Sequence, residues 1–227
     1  MSNNAATTST LPTKPWKIAF EEHYLTPSFQ DNIPAGIKPT DVPRVYRELM
    51  EVDERRILKM DAAGIEYAIL SLNSPGIQSE LSANKAIALS RLANDELKTI
   101  TEQHPKRLGG FAALPMQDAV AAADELERCV KQLGFHGALI NSFSNLGDEN
   151  IIEFLDEEKY FPFWERVQEL DLPVYLHPRN PPLSQQMMYR DRPELLAATW
   201  AFLVETSTHA LRPVSYTHLT LPTTPYV

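Results

Sequence analysis

Two short stretches hold the residues best suited to chemistry. Residues 17–24 read KIAFEEHY, an apolar run that finishes in two carboxylates and an imidazole. Residues 172–178 read LPVYLHP, a second apolar run that finishes in His177. Burying such groups without partners is expensive, so each run demands solvent or a ligand at its end. In a strand, positions i and i+2 share a face, so Glu21 and His23 project together while Glu22 projects the other way. One carboxylate and two imidazoles form a donor set suited to Zn²⁺ or Mn²⁺. Alone, the Glu-x-His pair is a weak signal that reads first as a surface or capping feature, and His177 before Pro178 fits a loop histidine as well. It is their joint placement at the ends of two strands that points to a metal site, because barrel enzymes collect catalytic groups at that edge.

The elements that must position these groups alternate between short β-like runs and longer helical patterns, the sequence sign of a parallel α/β architecture. After KIAF comes a connection, YLTPSFQDNIPAGIKPT, far longer than the ~2–6 residues usual in a βα loop. The spacing of Val45, Leu49, Val52, Ile57 and Met60 predicts one helix from about Val45, stopped at Gly64, and IEYAILSLN follows as the second strand. A long amphipathic helix is expected over Ser82 to His104, where Pro105 disfavours helical geometry in its predecessor. GGFAALP is the third strand, Asp118 caps a helix that ends at Gly134, and FHGALINSF is the fourth strand. LGDENIIEFLDEEKY reads as an acidic surface segment, FPFWERVQEL as a helix, LPVYLHP as the fifth strand and ELLAATWAFLVETSTHALR as a sixth helical stretch. Five strands each followed by a helix fit most of a (β/α)₈ barrel or an open doubly wound sheet. No GxGxxG follows the first strand, which weighs against the dinucleotide-binding version.

Composition narrows the partners. The net charge of −9 and the lack of a long Lys/Arg run argue against nucleic acid and for a small substrate. No apolar run approaches the ~20 residues that span a bilayer. Cys129 is the one cysteine, so no internal disulfide forms; it reads as a core thiol in a soluble, cytoplasmic protein. Residues 1–15 read as a disordered leader without a targeting pattern, and 16–212 as the folded domain. From Pro213 the composition shifts to a stretch without Asp, Glu, Lys or Arg, PVSYTHLTLPTTPYV, which reads as a non-native tail.

The runs KIAFEEHYLTP, YAILSLNSPGIQ, RLGGFAALPMQD, GFHGALINSFS, LPVYLHPRNP and FLVETSTHALR resemble the metal-dependent decarboxylase branch of the amidohydrolase superfamily, that of the dihydroxybenzoate and γ-resorcylate decarboxylases. The resemblance covers residues 16–212. It implies a (β/α)₈ barrel with one divalent metal, Zn²⁺ or Mn²⁺, held at its mouth by Glu21, His23 and His177. The implied reaction is non-oxidative loss of CO₂ from a small aromatic carboxylic acid with an ortho hydroxyl group. Asn141 matches a substrate-binding position, although a plain turn role in INSFSN fits it equally well. The full-length protein is expected to be a homo-oligomer. Family members also carry a Gly-His-Met-Gly-Glu segment, with the proton-transfer His and its Glu partner, and a later metal-binding Asp. The sequence contains no such segment, so no catalytic residue is assigned, His218 included. The expectation is an incomplete barrel of about five to six βα units, inactive by itself. Two alternatives stand beside it: a hydrolase that opens a lactone or amide with metal-bound water, and a non-catalytic fragment. His104, His136 and His209 are expected to be structural.

Overall fold

A computed structural model describes residues 17–30 and 42–219. The leader expected over 1–15, residues 31–41 of the long connection and residues 220–227 of the tail lie outside the described residues. β1 (Lys17–Tyr24) lies parallel to β2 (Ile65–Leu72), and β2 to β3 (Leu108–Gly110). Between β1 and β2 run the short α1 (Pro27–Gln30), α2 (Pro43–Met50) and α3 (Glu54–Ala63). α4 (Ala83–Gln103) returns the chain to β3, and α5 (Ala119–Arg128), extended by a wider π turn over Cys129–Leu133, returns it to β4 (Ala138–Ile140). A parallel bridge between Ala112 and Ala138 joins β3 to β4. An antiparallel hairpin, β5 (Ser144–Leu146) and β6 (Asp148–Glu153), precedes α6 (Phe161–Leu170), and β7 (Val174–Leu176) then pairs in parallel with β4. α7 (Ala201–Leu219) follows, with Pro213 inside it.

The five parallel strands therefore stand side by side in chain order. A doubly wound sheet reverses its order at a switch point; this arc does not reverse, so it has the order of a (β/α) barrel.

Local chemistry explains most of the boundaries. Asp118 accepts from the Ala121 N–H at 2.9 Å to start α5, and Ser82 caps α4. Gly64, with φ of +68°, closes α3 in the left-handed conformation expected of it. The single helix expected from Val45 is two, because the Asp53 carboxylate accepts from the Arg55 N–H at 3.0 Å and starts a new helix there. The third and fourth strands are three residues each rather than the whole apolar runs. The acidic segment is not simple surface coil: it folds back at Gly147, φ +73°, into the β5–β6 hairpin. The sixth helical stretch begins later than expected, with 3₁₀ turns over Pro193–Leu195 and Ala197–Thr199 before α7 starts at Ala201.

Alternation along the strands builds two apolar layers. Ala68, Leu70, Leu72, Leu108, Ala138 and Ile140 join Met60, Leu97, Leu126, Cys129 and Phe163 in the large core between strands and helices. Ile69, Phe111 and Leu139, with Tyr67 and Tyr175 against them, form a small inner layer on the opposite face of the strands. Cys129 is buried, as expected of a core thiol.

β1 switches between these layers. Ala19 pairs with Ala68, but the next pair is Glu22 with Leu70, so three residues of β1 span two of β2. This bulge changes the parity of the strand. Ala19 packs with the outer core, yet Glu21 and His23 face the inner side, and Glu22 faces outward with Leu70.

Candidate metal centre

At the C-terminal end of the inner face, β1 and β7 bring three expected residues together. His23 Nε2 lies 3.1 Å from His177 Nε2, with the rings edge to face at 86°. Glu21 Oε1 lies 3.6 Å from His177 Nε2 and 4.0 Å from His23 Nε2. One donor atom from each residue falls within 4.8 Å of the other two, and no second group of this kind occurs among the described residues. Glu22 is turned away, 3.6 Å from Arg56 of α3. The Arg56 guanidinium also donates to the His23 carbonyl at 2.8 Å, which ties the end of β1 to α3.

Each imidazole is held in place by the chain around it. His23 Nδ1 meets Ser71 Oγ on β2 at 3.1 Å, so its Nε2 is the atom aimed at His177. The His177 N–H donates to the Ile140 carbonyl at 2.8 Å, continuing the β4–β7 ladder to the ligand itself. Its Nδ1 is buried near the Pro178 carbonyl without a well-formed hydrogen bond. Glu21 Oε2 accepts a short hydrogen bond from the Tyr175 hydroxyl, two residues before His177 on β7. That bond, followed by burial, pushes the Tyr175 phenol up to about 12.

Electrostatics keeps the rings neutral. Burial first, then the adjacent His177 ring, holds the His23 imidazole down to about 4. Burial also lowers His177, partly opposed by the Glu21 carboxylate. Two neutral rings that point Nε2 at each other must share one proton between them or accept a cation. A carboxylate oxygen on the same spot makes the cation the better match, and an oxygen and two nitrogens suit Zn²⁺ or Mn²⁺. The residues present thus fit a divalent metal.

Asn141, the substrate-binding candidate, directly follows Ile140, the last residue of β4, whose carbonyl accepts from the His177 N–H. It is buried, its N–H donates to Gln78 Oε1 at 3.1 Å, and its Oδ1 has no hydrogen-bond partner. Gly76, with φ of +54°, makes room for it: a Cβ there would stand 2.6 Å from Asn141 Nδ2.

A second polar cluster lies behind Asn141. Ser142 adopts a left-handed φ of +56°, and its hydroxyl makes a short hydrogen bond to Glu205 and contacts His209 Nδ1 at 3.0 Å, both on α7. His209 Nε2 accepts from the Leu155 N–H at 3.1 Å. Burial lowers His209 to about 4 and raises the Glu205 carboxyl. Arg179 covers the Phe143 ring at 4.2 Å and donates to the Phe143 carbonyl and Asn145 Oδ1, each at 3.0 Å. His209 is therefore structural, as expected. A cavity of about 190 Å³, lined by Phe143, Phe154, Met188, Tyr189 and Glu205, adjoins this cluster and not the metal ligands.

Sequence reasoning found the three metal-ligand candidates and Asn141, but not the residues that hold them. Tyr175 was reachable, since it shares the i, i+2 face with His177; Ser71 likewise continues the alternation of Tyr67 and Ile69. Arg56, Arg179 and Glu205 carried no local signal.

Comparison with known proteins places the chain in a family. A sequence profile described as amidohydrolase matches residues 48–213. A γ-resorcylate decarboxylase from Polaromonas sp. is 46% identical over 196 residues, which make up 86% of this chain and 60% of that relative. A crystal structure of a dihydroxybenzoic acid decarboxylase from Polaromonas, with bound manganese and the inhibitor 2-nitroresorcinol, superposes with a TM-score of 0.83 at 45% identity, covering 89% of this chain and 61% of the other. A 2,6-dihydroxybenzoate decarboxylase complexed with 2,6-dihydroxybenzoate gives a TM-score of 0.84 at 42% identity, over 89% and 62%. The chain thus spans about three-fifths of the length of these relatives.

Proposed function

Since the chain belongs to the amidohydrolase family, we propose that it carries the metal- and substrate-binding part of a non-oxidative decarboxylase for ortho-hydroxylated aromatic acids such as dihydroxybenzoates. The observation that carries this reading is the convergence of Glu21, His23 and His177 at the strand ends, in a chain 45% identical to a decarboxylase that holds manganese and a nitroresorcinol. Bound there, a divalent metal supplies Lewis-acid stabilisation for the oxygens of an ortho-hydroxy carboxylate. The protein's own groups hold the metal and the substrate. His23 and His177 stay neutral at working pH, so their Nε2 lone pairs remain available. Asn141 Oδ1 is an unpartnered acceptor suited to a phenolic O–H. Phe111 and Leu139 pack against Tyr175, whose hydroxyl bonds Glu21.

A proton donor to the ring carbon is not assigned to any residue of this chain, so the 227 residues alone are read as binding without turnover. Self-association of the protein fits the exposed apolar side chains Leu183, Met187 and Met188. No described helix is long and apolar enough to cross a membrane, and a lone buried cysteine suits a reducing, cytoplasmic compartment.

The test is calorimetry with 2,6-dihydroxybenzoate, with CO₂ release followed in parallel. Binding only in the presence of Mn²⁺ or Zn²⁺, without CO₂, is the expected result. CO₂ release would establish the reaction class and overturn the reading of this chain as inactive. Hydrolysis of a lactone or amide, or no metal-dependent binding, would overturn the decarboxylase reading.

A further inference from the structure

The two oxygens of Glu21 have different surroundings. Oε1 faces both imidazoles, at 3.6 Å from His177 and 4.0 Å from His23. Oε2 is taken by the hydroxyl of Tyr175. The Tyr175 ring is itself fixed: it packs on the inner apolar layer, 6.2 Å from the Phe111 ring at 31° between planes. It also sits on β7, the strand that supplies His177. Glu21 is half-exposed, so without that hydroxyl its side chain would be free to turn toward solvent or to swing both oxygens onto a cation.

We propose that Tyr175 is a positioning residue of the metal centre, whose hydroxyl holds Glu21 as a one-oxygen ligand through Oε1. The proposal rests on the metal reading above and deepens it. It completes a pattern in which each β1 ligand has a holder on another strand: Ser71 on β2 for His23, Tyr175 on β7 for Glu21. Outer partners of this kind typically govern metal affinity by about 10- to 100-fold. They also govern selectivity, since a carboxylate limited to one oxygen disfavours Ca²⁺, which readily takes bidentate carboxylates.

Tyr175→Phe is the clean probe, because it keeps the ring on Phe111 and removes only the hydroxyl. Mn²⁺ binding would be measured by the loss of the free-ion electron paramagnetic resonance signal, and Ca²⁺ binding by competition. The unmodified chain should bind Mn²⁺ at one site. Tyr175→Phe should weaken Mn²⁺ by about tenfold while leaving Ca²⁺ unchanged or tighter, with the metal-free melting temperature unmoved. Equal Mn²⁺ affinity, or Mn²⁺ and Ca²⁺ weakened by one common factor, would overturn the positioning role while leaving the metal site intact. No Mn²⁺ binding by the unmodified chain would overturn the metal reading and this role with it.

Discussion

Two clusters in this molecule are built from the same parts, a carboxylate, imidazole and a hydroxyl, and they end in opposite states. Around His209, Nδ1 meets the Ser142 hydroxyl, Nε2 accepts from the Leu155 N–H, and the Ser142 hydroxyl reaches Glu205. Both ring nitrogens have partners of the chain's own, so the imidazole has no lone pair left for a ligand, although Glu205 Oε2 beside it is buried without a partner. Around His23 and His177, two Nε2 atoms confront each other across 3.1 Å with a carboxylate oxygen beside them. The holders there, Ser71 and Tyr175, satisfy the far sides of His23 and Glu21 and leave the near sides open. Composition alone does not make a metal site; the direction of the satisfied bonds does.

The contrast breaks most easily at His209. His209→Ala would leave the Ser142 hydroxyl and the Leu155 N–H without their ring partner and open a hole beside Phe154, 5.1 Å from the ring. A loss of about 3 kcal/mol is expected, read as a fall of roughly 10 °C in melting temperature. Metal affinity should stay within about threefold, since the ligands of the other cluster are untouched. A full-strength fold in this variant would show that His209 is not part of the framework.

Acid sharpens the same comparison. Folded His209 protonates at about 4, against 6.5 for an ordinary histidine. Below pH 6.5 the unfolded chain takes up the proton first, so stability is flat above 6.5 and falls as pH drops toward 4. The contribution of His209 is on the order of 3 kcal/mol. Urea melts across this window check it: His23, also held down to about 4, and His177, also lowered, add slope of the same sign, so the His209→Ala variant should have a clearly shallower slope and keep the part that the other two rings supply. Stability that rose on acidification would contradict the neutral, buried ring.

How far the sequence led can be judged at particular residues. Asp118 and Gly64 were legible because capping is decided within four residues of chain. Glu21, His23 and His177 were legible because a strand end is a local signal and the alternation rule gives the face. The β1 bulge was not, because KIAFEEHY reads as one regular strand until its pairing with β2 shows the extra residue. The hairpin at 144–153 was hidden by its charge: DENIIE is mostly exposed and lacks the apolar alternation of a half-buried strand. Glu205 and Arg179 join the second cluster only through tertiary packing, from positions more than 30 residues away from their partners Ser142 and Asn145.

The central claim is that Glu21, His23 and His177 form one cation site with Glu22 outside it. It is tested most directly by Mn²⁺ titration of three proteins side by side: unmodified, His177→Ala and Glu22→Gln. The account predicts one saturable site, weakened about 100-fold or more by His177→Ala, at or beyond the upper end of what outer partners govern, and unchanged within about twofold by Glu22→Gln. Binding that survives His177→Ala, or that disappears with Glu22→Gln, would contradict it.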